Sequence, residues 1–126
     1  MATFALTEEN LESSINDNDI LIIDFWAEWC GPCRNFAPVF EAASERHEGV
    51  AFAKCDTEAQ QAVAGSFGIR SIPTVAVFRE QILLYMQPGA LPPAAVDDIL
   101  GQIKALDMDE VRAKIEEEKA KQEPEA

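Results

Sequence analysis

Two thiols set three positions apart are the most chemically loaded feature of the chain. Cys30 and Cys33 enclose Gly31 and Pro32 in the run Trp29-Cys30-Gly31-Pro32-Cys33, between a buried-strand pattern and the start of a helical one. At a helix N-terminus, unpaired N–H groups and the positive end of the macrodipole stabilise an anion. Cys30 is therefore expected to ionise more readily than a free cysteine. Thiolate is the attacking species in disulfide exchange, and Cys33, one turn deeper, is placed to attack the mixed disulfide that Cys30 would form. Pro32 stiffens the intervening turn, and Gly31 leaves room for an approaching substrate chain. The competing reading is a pair of zinc ligands. Structural zinc takes four donors, and only Cys55 and His47 remain to supply them, without a knuckle-like spacing.

A second chemically informative residue is Asp24, a carboxylate inside the otherwise apolar run Ile20–Trp26. A charge in such a strand costs free energy unless it is paired or neutral; the alternative is a strand-end residue facing solvent. Cys55 reads as a small buried hydrophobe, with a regulatory thiol as the sharper alternative. His47 reads as a surface residue closing a helix, where its charged form suits the dipole.

These residues must be positioned by elements that the hydrophobic pattern outlines. A short strand over 3–6 precedes a helix over 8–15, with Thr7 as N-cap and Glu8 and Glu9 in its first turn. The strand 20–26 is apolar enough to be covered on both faces. A helix follows through Phe36, Val39, Phe40 and Ala43, kinked at Pro38. Next come a strand over 50–54, a helix over 59–67 ended by Gly68, and strands over 74–78 and 82–86 forming an antiparallel hairpin. Pro92 and Pro93 open a last helix with Val96, Ile99, Leu100, Ile103 and Leu106 on one face. The order βαβαβ then ββα implies an α/β fold: a central mixed sheet, parallel in its core with an antiparallel edge, and helices on both faces.

The remaining composition narrows the function. The 126 residues suit one compact domain, taken as residues 1–106, followed by an acidic extension over 107–126. Ten basic residues against 23 acidic ones give a net charge of −13, which phosphate backbones and anionic membrane surfaces repel. The apolar run Ile20–Ile23 stops at Asp24 and follows five acidic residues, so no secretory signal is read and the cytoplasm is the expected compartment. The extension holds Glu110/Lys114 and Glu117/Lys121 in the favourable order for a solvated helix. Asp107 with Glu110 imitates a capping box, and the residues from Gln122 onward are expected to fray.

From about Thr3 to Leu106 the chain resembles the thioredoxin family. The segment Asp24-Phe-Trp-Ala-Glu-Trp-Cys-Gly-Pro-Cys33 is similar to its active-site signature, and Gly68-Ile-Arg-Ser-Ile-Pro-Thr74 to a second one. The resemblance implies a protein-disulfide reductase working through Cys30 and Cys33. Asp24 becomes the buried carboxylate beneath Cys33, with Lys54 on the neighbouring strand as its partner, and takes the Cys33 proton. The Ile72-Pro73 bond becomes cis and packs on the dithiol, and the Ile72 backbone pairs with extended substrates. Trp29, Gly31, Pro32, Ile72, Pro73, Pro88, Gly89 and Ala90 become the substrate-binding rim, and Trp26 core packing beside it.

The same resemblance implies no metal or bound cofactor, re-reduction by a flavin- and NADPH-dependent thioredoxin reductase, and disulfide-containing proteins as substrates; nothing in the domain demands more than a monomer. Its alternative is a thioredoxin-like co-chaperone or interaction module in which the tail binds a partner through Met108, Val111 and Ile115. At the hairpin turn the chain departs from the family's Asn-Gly or Asp-Gly: Arg79-Glu80-Gln81 should resist a tight type I′ turn, so another loop type or a shorter hairpin is expected there.

Overall fold

The computed structural model describes residues 2–122 and orders them as β1 (Thr3–Ala5), α1 (Leu11–Asn16), β2 (Ile20–Trp26), α2 (Gly31–Arg46), β3 (Val50–Asp56), α3 (Gln61–Ser66), β4 (Thr74–Arg79), β5 (Ile82–Pro88), α4 (Pro93–Ala105) and α5 (Met108–Gln122). The five strands form one sheet in the order β1-β3-β2-β4-β5. The pairs β1–β3 and β3–β2 are parallel, and β2–β4 and β4–β5 antiparallel.

Alternation along the strands divides the core in two. Ile20, Ile22, Phe52, Val75 and Val77 face α2 and α4, where they meet Phe36, Phe40, Val96 and Leu100. Leu21, Ile23, Phe25, Ala53 and Ala76 face the other way and pack with Leu11 and Ile15 of α1 and Val63 of α3. Both faces of β2 are covered, which is why that strand is apolar almost throughout. By the same alternation Asp24 points toward the α2/α4 side. The strands β2 and β3 send their chains to opposite faces, so their carboxyl ends open a crevice where the connections diverge, the usual place for a site in an α/β sheet.

Several boundaries differ from the sequence reading. Helix α1 begins at Leu11 because Thr7 and Asn10 first close a turn of their own: Thr7 N–H donates to Asn10 Oδ1 at 2.8 Å and Asn10 N–H to Thr7 Oγ1 at 3.3 Å. Helix α3 starts only at Gln61, since Asp56 occupies residues 58–59 in a capped loop. Strands β3, β4 and β5 each run a residue or two further than their apolar patterns suggest. Leu106 lies past the end of α4 and is 39% exposed rather than on its buried face. There Arg79 Nη1 donates to the carbonyls of Ile103, Lys104 and Leu106 and so satisfies the helix C-terminus.

The hairpin turn overturns the expectation of a different loop. Arg79 pairs with Ile82, and Glu80 and Gln81 both take positive φ, 50° and 69°, the signature of a type I′ turn. Left-handed backbone costs a non-glycine residue roughly 1–2 kcal/mol. Tertiary contacts offset it: Glu80 N–H donates to the Asp19 carbonyl at 2.8 Å, and Arg112 of α5 grips the Glu80 carboxylate. The register shifts between Val77 and Phe78, leaving Leu84 as a bulge. Gln81→Gly is accordingly expected to raise stability by about 1 kcal/mol. Urea unfolding should show a higher midpoint with an unchanged slope; a lower midpoint would mean that the glutamine side chain holds the turn.

The C-terminal extension continues as a helix. Asp107 Oδ1 accepts from the N–H groups of Asp109 (3.0 Å) and Glu110 (3.3 Å), the capping expected from its spacing. Met108 is buried, Val111 and Ile115 are half-buried, and Lys121 lies 3.6 Å from Glu117. Gln122 belongs to the helix rather than to a frayed end; residues 123–126, the rest of the segment expected to fray, lie outside the described residues.

Candidate active site

Helix α2 starts in the crevice at the end of β2, and its first residues carry the dithiol. Cys30 is the N-cap, with extended backbone (φ −87°, ψ 111°) and Pro32 in the first turn, where its missing N–H leaves nothing unpaired. The two sulfurs are joined as a disulfide, with Cα atoms 5.2 Å apart. Cys33 N–H donates to Cys30 Sγ at 3.2 Å, so the cysteine performs the capping that Ser or Asp performs elsewhere. Once reduced, a thiolate at that sulfur would keep this donor and face the positive end of a 16-residue helix.

The neighbours of the dithiol come from three further segments. The Ile72-Pro73 bond is cis, and the Ile72 carbonyl lies 3.7 Å from Cys30 Sγ. Gly89 N–H donates to the Pro73 carbonyl at 2.7 Å, which draws the Pro88-Gly89 end of β5 beside the cis-proline loop. Its φ of 111° is one that a side chain at this position would rarely tolerate. Cys30 and Cys33 are buried with Ala27 against Trp26 and Ile72, whereas Trp29 is 66% exposed. Gly31 and Ile72 are half-buried, Pro73 is buried, and Pro32, Pro88, Gly89 and Ala90 lie open to solvent. The predicted rim residues thus come from three segments: 29–32 carries the dithiol, 72–73 touches it through the Ile72 carbonyl, and 88–90 is tied to Pro73 through Gly89.

Asp24, on β2, is fully buried, with no hydrogen-bond partner in the protein for either carboxylate oxygen. The solvent-facing alternative for this residue is therefore excluded. Burial pushes its pKa from 3.8 up to about 7, against the opposing pull of the Lys54 ammonium. Asp24 and Lys54 sit opposite one another in the β2–β3 register. Lys54 acts on Asp24 through its field rather than by a hydrogen bond; its Nζ lies over the Trp26 ring, 5.3 Å from the centroid.

The zinc reading loses its donors. Cys30 and Cys33 bond each other, and Cys55 is on the opposite side of the sheet in the α1/α3 core. His47 sits at the far end of α2 and is not the surface residue expected: its side chain is 16% exposed, stacks near Phe52 and places Nε2 2.6 Å from Asp97 Oδ1. Cys55 is fully buried, and burial together with the charges of Asp56 and Asp24 pushes its thiol up to about 11, so the inert reading of this cysteine holds.

Two residues that the sequence reading passed over also shape the site. Thr57 donates both its N–H and its hydroxyl to the Trp26 carbonyl, at 2.9 and 3.0 Å. Glu58 Oε1 accepts from Trp29 Nε1 at 2.8 Å. Both lie in a polar loop whose composition carries no periodic signal, and only the spatial return of β3 to the end of β2 brings them here.

A helix-capping dithiol beside a cis-proline, at the carboxyl edge of a mixed sheet, defines a protein that exchanges disulfides with other molecules. The family model described as Thioredoxin matches residues 2–102, and the chain belongs to the thioredoxin family. It is 52% identical over 119 residues to "Putative thioredoxin 2" of Streptomyces coelicolor, covering 94% of this chain and 89% of that one, so the similarity extends into α5. It is 36% identical over 101 residues to "Thioredoxin 1" of a Nostoc species, covering 79% and 94%. Among solved structures, a thioredoxin mutant from Halobacterium salinarum aligns with a TM-score of 0.77 at 30% identity, covering 83% of this chain and 93% of that one. Chloroplastic thioredoxin z aligns with a TM-score of 0.77 at 31% identity, covering 84% and 97%.

The chain is accordingly a thiol–disulfide oxidoreductase with Cys30–Cys33 as its redox pair. Thioredoxins need no bound cofactor for this chemistry. No helix among the described residues is long and apolar enough to cross a membrane.

Proposed function

We propose that this chain reduces disulfides of cytoplasmic proteins, and that Cys30, Cys33, Asp24 and Lys54 divide the work. The observation that carries the reading is the Cys30 sulfur capping α2 and accepting the Cys33 N–H. In the reduced protein the Cys30 thiolate attacks one sulfur of a substrate disulfide; a Cys30–substrate bond forms and the other substrate sulfur leaves as a thiolate. Cys33 gives its proton to Asp24, whose pKa near 7 suits that exchange at neutral pH. Cys33 then attacks Cys30 Sγ, the second substrate sulfur leaves, and the Cys30–Cys33 disulfide closes. Two electrons have passed to the substrate, and Lys54 moderates the charge that Asp24 carries before it takes the proton.

Trp29, Gly31, Pro32, Ile72, Pro73, Pro88, Gly89 and Ala90 form the docking rim, and the Ile72 carbonyl offers an extended substrate a backbone partner. A thioredoxin reductase using flavin and NADPH restores the dithiol. The domain over residues 1–106 is the monomeric catalytic unit, and the extension after it is dispensable for the exchange. Insulin reduction followed by turbidity, with a reductase and NADPH, tests the reading. The expected result is NADPH-dependent precipitation by the full chain and by the chain ending at Leu106 alike. Absence of reduction by a chain shown to carry free thiols would overturn it.

A further inference from the structure

Trp29 directly precedes Cys30 and is more than half exposed, a position from which an indole would normally sample several rotamers. Here its Nε1 donates to Glu58 Oε1 at 2.8 Å. Glu58 itself is held by its loop. Asp56 Oδ1 accepts from the N–H groups of Glu58 (2.9 Å) and Ala59 (3.3 Å), Thr57 is pinned twice to the Trp26 carbonyl, and Gln60 N–H returns to the Asp56 carbonyl at 2.8 Å. The loop thus presents a carboxylate at a fixed place beside the dithiol. Between the indole and Ile72 runs a groove of about 350 Å³, with Thr57, Gln61 and Ile69 also on its walls.

We propose that Glu58 is a positioning residue for disulfide exchange: it holds the Trp29 indole in place as one wall of the substrate groove. The inference rests on the docking rim proposed above. Glu58 acts through Trp29 and does not reach the sulfurs, whose geometry is set by the start of α2. An indole released from Glu58 must be ordered again each time a substrate docks, and that cost falls on binding rather than on the sulfur chemistry. Losing one charge-assisted hydrogen bond at an exposed site corresponds to about a fivefold change in an equilibrium constant.

Glu58→Ala is therefore expected to raise the KM for insulin about fivefold with kcat within about twofold of wild type, the pattern of lost uniform binding. Glu58→Gln keeps an oxygen acceptor and should restore a near-wild-type KM. Acrylamide quenching of indole fluorescence should rise in Glu58→Ala and not in Glu58→Gln. An unchanged KM in Glu58→Ala, equal impairment in the two variants, or a fall in kcat with a lowered melting temperature would each overturn the proposal. If wild type itself reduced no insulin, the function proposed above would fail, while the quenching comparison would still decide whether Glu58 holds the indole.

Discussion

Cys30→Ser is expected to lower insulin reduction by at least about 10³-fold, to the background of the assay, the scale on which removing a nucleophile acts. A serine hydroxyl at the same N-cap can accept the residue 33 N–H and preserve the fold, but it does not ionise near neutral pH and cannot form a mixed disulfide. Cys33→Ser should fail differently. Its Cys30 thiolate still attacks, but nothing resolves the adduct, so the protein accumulates as a one-to-one mixed disulfide with its substrate. Mass spectrometry of the reaction mixture separates the outcomes: an adduct with Cys33→Ser and none with Cys30→Ser. The reverse assignment, or adducts on both, would show that helix capping does not decide which sulfur attacks. The asymmetry follows from one contact, the Cys33 N–H on Cys30 Sγ, together with the place of Cys33 inside α2 rather than at its cap.

Much of this site is legible in the chain because its chemistry is local. A capping thiol needs only a strand end, a short turn and a helix start, and these occupy consecutive residues from Asp24 to Cys33. Asp24 announces itself as the one charge in a doubly covered strand. The cis geometry of Ile72-Pro73 comes from family resemblance alone, since a proline before a strand is otherwise unremarkable. What stays illegible is non-local. Nothing near Glu58 in sequence shows that Trp29 ends up against it, and nothing near Glu80 shows Arg112, 32 residues on, gripping its carboxylate. The turn at Glu80-Gln81 is misread for the same reason: local propensity argues against two positive φ values, and contacts to Asp19 and α5 outweigh it. His47 is misread because its partner, Asp97, lies 50 residues away on α4.

Asp24→Asn is expected to make the protein more stable and its chemistry slower, two effects with one cause. The Asp24 carboxyl is raised to about 7 in the folded protein by burial and has its ordinary value, 3.8, in the unfolded chain. Below pH 4 it is protonated in both states and imposes no penalty. Between about pH 4 and 7 the unfolded chain releases the proton while the folded protein keeps it, so stability falls as pH rises; above 7 both are ionised and the loss is constant. A shift of about three pH units corresponds to about 4 kcal/mol at the plateau. Asparagine does not ionise, so its advantage over wild type should widen from pH 4 to 7 and level off near that value, as read from urea midpoints across the range. Parallel profiles for the two proteins would show that Asp24 is not the titrating group.

The same substitution removes the acceptor for the Cys33 proton. Release of the second substrate thiol in single turnovers should slow on the order of 10²-fold near neutral pH, with the first attack by Cys30 unchanged. A carboxylate kept in the core without a hydrogen bond from the protein is thus a stability cost retained for the resolving step. If the variant gained stability and lost no rate, the cost would remain and the proton-acceptor role would fall.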